Sequence, residues 1–268
     1  MIPVLIIFAI LVVLFFFSLM GRRNHPGLAA LRGWAYAHRG LHSDGVPENS
    51  MAAFKKALDN GYGIELDIHL MKDGNLAVIH DASLKRTAGA AVNIEDLTAE
   101  DLSQYRLEGT DEPIPLFKDV LAMFEGKAPM IVELKAVNNF AELCHAACAM
   151  LEKYNGIYCL ESFDPRCIIW LKKNRPELIR GQLAENFIMN PKSKIPFMLK
   201  LAMSWNLGNF LSRPDFIAYR YADRNHFSVY LCRKLWKLQG VSWTIRTKEE
   251  YDIAVKEGWI PIFENFIP

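Results

Sequence analysis

The sequence predicts an α/β fold, a TIM-type (β/α)8 barrel over residues 34–268 with a small insertion at about 82–115 after the second strand. Three observations carry this expectation. From Leu31 onward, short β-prone apolar runs alternate with helical patterns, the mark of βαβ units and a parallel sheet. The chain has 268 residues, and α/β barrels commonly run to about 250 residues as one domain. Carboxylates, imidazoles and cations gather at the carboxyl ends of the first three strands, the rim where such barrels keep their active sites.

An uncharged run of Ile, Val, Leu and Phe from Ile2 to Met20 comes first. At about 1.5 Å per residue it approaches the roughly 30 Å hydrocarbon core of a bilayer, so residues 1–21 are expected to form a transmembrane helix. A cleaved signal peptide is the competing reading, but no basic stretch precedes the run and no small-residue cleavage site follows it. Arg22, Arg23 and Arg32 lie on its carboxyl side. By the positive-inside rule they put the barrel in the cytoplasm, as a single-pass protein of the cell membrane with a linker over residues 22–33.

The first strand is expected at 35–38. Ser50 or Asn49 caps a helix to about Asn60, and Gly61 ends it. The second strand, 63–70, turns at Lys72-Asp73-Gly74-Asn75 and returns over 76–80. After the insertion, helices are expected at 116–124, 140–154, 165–174, 227–239 and 248–257, with Pro165 at a helix start. Strands are expected at 130–135, 157–162, 178–183, 216–219, 241–244 and 259–263. Residues 186–213 break the rhythm, and the run 195–205 reads as an amphipathic cover on the barrel or a lid that touches lipid.

The net charge of +1 and the absence of a long basic stripe exclude a nucleic-acid partner. Cys144, Cys148, Cys159, Cys167 and Cys232 are odd in number and sit in apolar patterns, which reads as reduced core thiols and not a disulfide framework. Cys144 and Cys148 share a helical face, a spacing that suits packing better than a soft-metal site.

Within the second strand Glu65 and Asp67 point to one face while Ile64, Leu66 and Ile68 point to the other. Two carboxylates side by side in an apolar strand repel and lose hydration unless a positive group sits between them. Glu133 and Lys135 repeat the device, and an all-oxygen donor set of Glu65, Asp67 and Glu133 favours Mg2+ or Ca2+, with Mn2+ also suited, over Zn2+. His38 and His80 follow β-prone runs, where an imidazole is the side chain best matched to proton transfer near neutral pH.

The motifs His38-Arg39-Gly40, Pro47-Glu48-Asn49-Ser50, Glu65-Leu66-Asp67, Lys72-Asp73-Gly74, His80-Asp81 and Glu133-Leu134-Lys135 occur in an order and spacing that resembles the glycerophosphodiester phosphodiesterases, here of a membrane-anchored bacterial type. The resemblance spans roughly residues 34 to 245. It implies metal-dependent hydrolysis of a glycerophosphodiester to sn-glycerol 3-phosphate and an alcohol. It also implies His38 and His80 as the general acid and base, in either order, and Arg39 and Lys135 on the substrate phosphate. Trp243 resembles the family's late-strand tryptophan and, with Phe163, is expected to line the substrate pocket. The chain end departs from the family pattern, since Glu264-Asn265 stands where a Thr-Asp pair is usual. Two rival functions remain open at this level: a lysophospholipase D acting on acylated substrates, and a catalytically silent membrane adaptor that binds a headgroup.

Overall fold

The protein is described by a computed structural model covering residues 2–268. Its first element, α1 (Ile2–Ser18), is apolar around its whole circumference and has no buried residue. At 17 residues it is about 25 Å long. This corrects the expected transmembrane helix over 1–21: among the described residues, no helix is long and apolar enough to cross a membrane. The expectation overran because the backbone leaves the helix after Ser18, where Leu19 turns in to pack at full burial on the barrel. Phe15 meets Trp205 edge to face, and Trp236 Nε1 donates to the Phe16 carbonyl at 3.0 Å.

A short helix, α2 (Leu28–Leu31), leads to β1 (Tyr36–His38), α3 (Met51–Asp59) and β2 (Gly63–Leu70). Ser50, and not Asn49, caps α3, accepting from Ala53 N at 3.1 Å while donating to the Pro47 carbonyl at 2.7 Å. Ser50→Ala removes both bonds and is expected to cost about 1 kcal/mol, read as a lowered urea midpoint at unchanged slope. Strand β3 (Leu76–Val78) runs back antiparallel along β2. The insertion holds α4 (Lys85–Ala88) and short 3-10 turns, and it has a core of its own in which Met71, Ile79, Leu84, Ile94 and Leu107 are buried together. That core explains why the alternation pauses there.

The regular rhythm then resumes: α5 (Phe117–Phe124), β4 (Met130–Leu134), α6 (Phe140–Leu151), β5 (Tyr158–Ser162), α7 (Pro165–Asn174) and β6 (Arg180–Ala184). Between β6 and the next strand lie α8 (Phe197–Ser204) and α9 (Asn209–Ser212). β7 (Phe216–Arg220), α10 (Phe227–Lys234), β8 (Gln239–Ile245), α11 (Lys248–Lys256) and β9 (Trp259–Phe263) complete the chain. Helix α10 stops five residues short of the expected end at Gln239, because Lys237 takes a left-handed conformation (φ 58°) and Gln239 already opens β8.

Eight parallel strands close the barrel in the order β1-β9-β8-β7-β6-β5-β4-β2, and β1 pairs with β2 to complete the ring. β3 lies outside it. Two apolar layers hold the barrel. Ala37, Ile64, Leu66, Val132 and Ile217 pack with the helices, whereas Tyr36, Ile131, Phe216, Val241 and Ile262 belong to a separate cluster inside the strands. Gly181 makes that interior layer fit: a Cβ there would lie 2.0 Å from the Phe216 ring. Period two along each strand sends alternate residues into the two layers, and above the interior cluster it sends Glu65 and Asp67 to the barrel mouth. All five cysteines are free and buried, as expected of core thiols.

Candidate active site

The parallel register sets the carboxylates. Asp67 of β2 pairs with Glu133 of β4, which in turn pairs with Glu161 of β5, so three neighbouring strands each put an acidic residue at one level. Glu65, Asp67 and Glu133 are buried, and one oxygen of each lies within 4.8 Å of the others. Their environments push them apart. Burial, together with repulsion from Asp67 and Glu133, raises Glu65 well above the usual carboxylate range. Burial also lifts Glu133 to about 7, against the attraction of Lys135. For Asp67 burial is outweighed by Lys135, His80 and Arg39 and by the Asn49 hydrogen bond, which hold it far below the ordinary value.

The two predicted phosphate-binding cations both face these carboxylates. Lys135 Nζ lies 3.0 Å from Glu133 and 3.5 Å from Asp67, and Arg39 Nε lies 3.4 Å from Asp67. Three buried acids draw whatever cations the rim supplies. Gly40 makes the Arg39 turn possible: its φ is +80°, and a Cβ there would sit 2.8 Å from that of Ala53. The turn also aims Arg39 N at Glu65 Oε2, 3.1 Å away. Asn49, read from sequence as a possible cap, grips Asp67 instead, with Nδ2 donating to Oδ2 at 2.9 Å.

Each imidazole is held by a carboxylate. His38 Nδ1 and Glu264 Oε2 are 2.5 Å apart, and the opposite nitrogen, Nε2, faces Glu65 at 3.9 Å. His80 Nδ1 and Asp81 Oδ1 are 2.6 Å apart, and Asp81 is held in turn by Arg86 Nε at 2.6 Å. Arg86 continues to Glu48 at 2.7 Å, and Glu48 to Arg39 at 2.9 Å, so the two sides of the site are joined by one chain of ion pairs. Burial lowers the pKa of both rings, partly offset at His38 by the Glu264 bond and at His80 by Asp67.

His38, Arg39, Glu65, His80, Glu133, Phe163 and Trp243 all line one small cavity. The Phe163 and Trp243 rings meet at 90° with centroids 5.5 Å apart. A wider groove of about 640 Å³ adjoins it, sharing His80, Glu133 and Phe163 and running out past Val137 to Leu199 and Met203 of α8. The structure thus brings together every residue that the sequence singled out for the site.

Sequence reasoning missed others. Glu161 lines the same cavity, is buried, and is raised well above the carboxylate range by burial and by Glu133. The signal for it was there: an acid inside the apolar strand 158–162, the same pattern as Glu65. His69 continues the Glu65–Asp67 period and meets the His80 carbonyl through Nε2 at 3.1 Å, and burial lowers it to about 4. Glu48 stands in the Pro47-Glu48-Asn49-Ser50 motif, but nothing in its spacing from Arg86 tells that the two meet.

The fold and this mouth define a class: a (β/α)8-barrel protein whose rim sets carboxylate-held imidazoles against a knot of buried acids and cations. The chain belongs to the glycerophosphoryl diester phosphodiesterase family, whose family model it matches over residues 38–267. Among curated relatives, the glycerophosphodiester phosphodiesterase of Caldanaerobacter subterraneus subsp. tengcongensis is 31% identical over 58% of this chain and 68% of its own length. Lysophospholipase D GDPD1 of Rattus norvegicus is 39% identical over 38% of this chain and 36% of its own. The match thus spans only about a third of that relative. Among solved structures, an Oleispira antarctica phosphodiesterase in complex with the product sn-glycerol-3-phosphate superposes with a TM-score of 0.74 at 20% identity, covering 91% of this chain and 95% of that one.

Proposed function

We propose that this chain is a metal-dependent glycerophosphodiester phosphodiesterase, attached to a membrane through α1, that hydrolyses glycerophosphodiesters to sn-glycerol 3-phosphate and an alcohol. The observation that carries the reading is the convergence of Glu65, Asp67 and Glu133 beside two imidazoles, each held at Nδ1 by a carboxylate. The donor set fits a hard divalent cation: the ligands are all oxygen, and the raised pKa values of Glu65 and Glu133 register first their burial and then the repulsion among the acids, both of which a cation relieves. Bound there, such an ion supplies Lewis-acid polarisation of the phosphate.

The chain's own groups do the rest. Hydrolysis adds one water across a P–O bond, so one proton leaves the attacking oxygen and one reaches the departing alcohol. With Nδ1 of His38 and of His80 committed to carboxylates, Nε2 of each is the nitrogen left to take or give that proton. Arg39 and Lys135 offset the phosphate charge once it displaces them from Asp67. Phe163 and Trp243 wall the substrate pocket.

The test is turnover on glycerophosphocholine, glycerophosphoethanolamine and glycerophosphoglycerol with Mg2+, Ca2+ or Mn2+, before and after chelation. Metal-dependent release of sn-glycerol 3-phosphate is expected. Silence on every diester overturns the reading in favour of a headgroup-binding adaptor.

A second reading, lysophospholipase D activity, is favoured by the groove past Val137, Leu199 and Met203 and by Phe197 and Met198, exposed beyond it on α8. Comparing glycerophosphocholine with its monoacylated counterpart separates the two. Attachment through α1 rests on the solvent-facing apolar surface of its stretch from Ile2 to Leu14, ahead of the turn that packs on the barrel. Arg22 and Arg23 at its foot suit the anionic lipid of the cytoplasmic leaflet, and this reading puts the barrel on the cytoplasmic side of the cell membrane. A full-length chain that fails to float with phosphatidylcholine vesicles overturns the attachment.

A further inference from the structure

A second concave site lies away from the barrel mouth, where α1 joins the barrel. It is a pocket of about 500 Å³ walled by Arg22, Arg23, Lys172, Arg180, Arg213 and Trp236. Of the five cations only Arg22 forms an ion pair among the described residues, with Asp215 at 2.5 Å. Asp215 is the one acid beside them: Arg22 bonds to both of its oxygens, one of which also accepts from Arg180 N at 2.9 Å, and no hydrogen bond joins it to the Arg180 guanidinium. The others lean on carbonyls, Lys172 on Leu211 at 2.7 Å, Arg213 on Phe210 at 3.2 Å and Arg23 on Leu235 at 3.0 Å.

Arg180 is the decisive residue. It opens β6, is only 2% exposed, and its guanidinium is tied by one long bond from Nε to the Ser212 carbonyl at 3.3 Å. Its Nη1 is buried with no hydrogen-bond partner among the described residues. A buried, unpaired guanidinium nitrogen among like charges is costly, and an anion in the pocket relieves both the missing bond and the repulsion. The same crowding appears in the titration of the groups. Burial and then Arg22 pull Arg180 down to about 10, and burial, Arg213 and Arg180 lower Lys172.

We propose that this pocket is a binding site for a phosphate group, distinct from the catalytic mouth. A phosphate matches several cations with fork-shaped donors better than a carboxylate does, having more acceptor oxygens to share among them. Two sources carry that chemistry, an anionic phospholipid headgroup and a free phosphoester. The pocket sits at the foot of the apolar α1, where Arg23 stacks over Trp236 at 5.1 Å, an arrangement suited to headgroup depth.

The experiment uses the full chain in two arms. In one, flotation with phosphatidylglycerol-containing vesicles is compared with phosphatidylcholine alone, the neutral vesicles reporting α1 by itself. In the other, inorganic phosphate is titrated calorimetrically. Lys172→Gln is exposed and keeps the fold, and it is expected to weaken the preference for the anionic vesicle about five-fold. Arg180→Lys keeps the charge but loses the fork, and is expected to do the same. Lys248→Gln on α11 removes an equal charge elsewhere and leaves binding unchanged. Phosphate heat lost in the first two variants identifies a free phosphoester as ligand, and vesicle preference lost without it identifies lipid; either outcome supports the site. No anion preference in either arm, or equal losses in Lys172→Gln and Lys248→Gln, overturns it.

Discussion

His38→Gln is expected to lower kcat on a glycerophosphodiester by about a thousand-fold while leaving divalent-ion affinity nearly unchanged. The ring sits at the end of β1 with Nδ1 locked on Glu264 and Nε2 turned toward the acids, so its loss removes a proton carrier without removing a metal donor. His80→Gln is expected to fall by a similar factor for the same reason, its own carboxylate being Asp81. The pair separates on leaving-group acidity. A diester of p-nitrophenol departs without a proton, so the variant lacking the general acid recovers most of its rate on that substrate and the variant lacking the base does not. Both variants retaining full rate on an alkyl diester would sink the acid–base assignment. Burial holds both imidazoles below their ordinary pKa. The limb of the pH profile set by the protonated acid is therefore expected to fall as pH rises through a value below about 6.5.

The second large effect concerns the carboxylates. Asp67→Asn or Glu133→Gln is expected to abolish measurable metal binding and to cost about a thousand-fold or more in turnover, the scale of several kcal/mol of lost charge stabilisation. Asp67 is the centre of the cluster: Arg39, Lys135 and Asn49 all converge on it, so its neutralisation also leaves Lys135 to Glu133 and Arg39 to Glu48. In the metal-free protein Glu133 titrates at about 7, and Glu65 is raised as well. Ion binding must displace those protons, so affinity is expected to rise with pH through about neutrality. Calorimetry with Mg2+ and Ca2+ at pH 6 and pH 8 measures this directly. Affinity that is flat or falls over that interval would place the ion elsewhere.

The degree to which the site was legible differs from residue to residue. Glu65, Asp67 and Glu133 were readable because alternation in a strand is a local rule, and because parallel neighbours in a barrel hold such residues at one level. Glu161 obeys the same rule, but it is the single charged residue of its strand, so no alternating pair marks it. Asn49 was read for the wrong partner: Ser50 supplies the cap, and Asn49 is left free to turn, at φ 54°, toward Asp67. The α1 boundary was overrun because hydropathy continues through Leu19 and Met20, while the backbone there has already left the helix to pack on α10.

From the chain alone came the alternation of strands and helices, the insertion, and the identity of the acids, imidazoles and cations at the rim, since each follows from residue type and short-range period. Tertiary structure decided their partners. His38 meets Glu264 across 226 positions because closing β1 against β9 joins the two ends of the barrel, and no local period encodes that. The basic pocket likewise draws Arg22, Lys172, Arg180 and Arg213 from four separate segments. Side chains so far apart in sequence acquire a common field only when the ring has closed and water between them has gone.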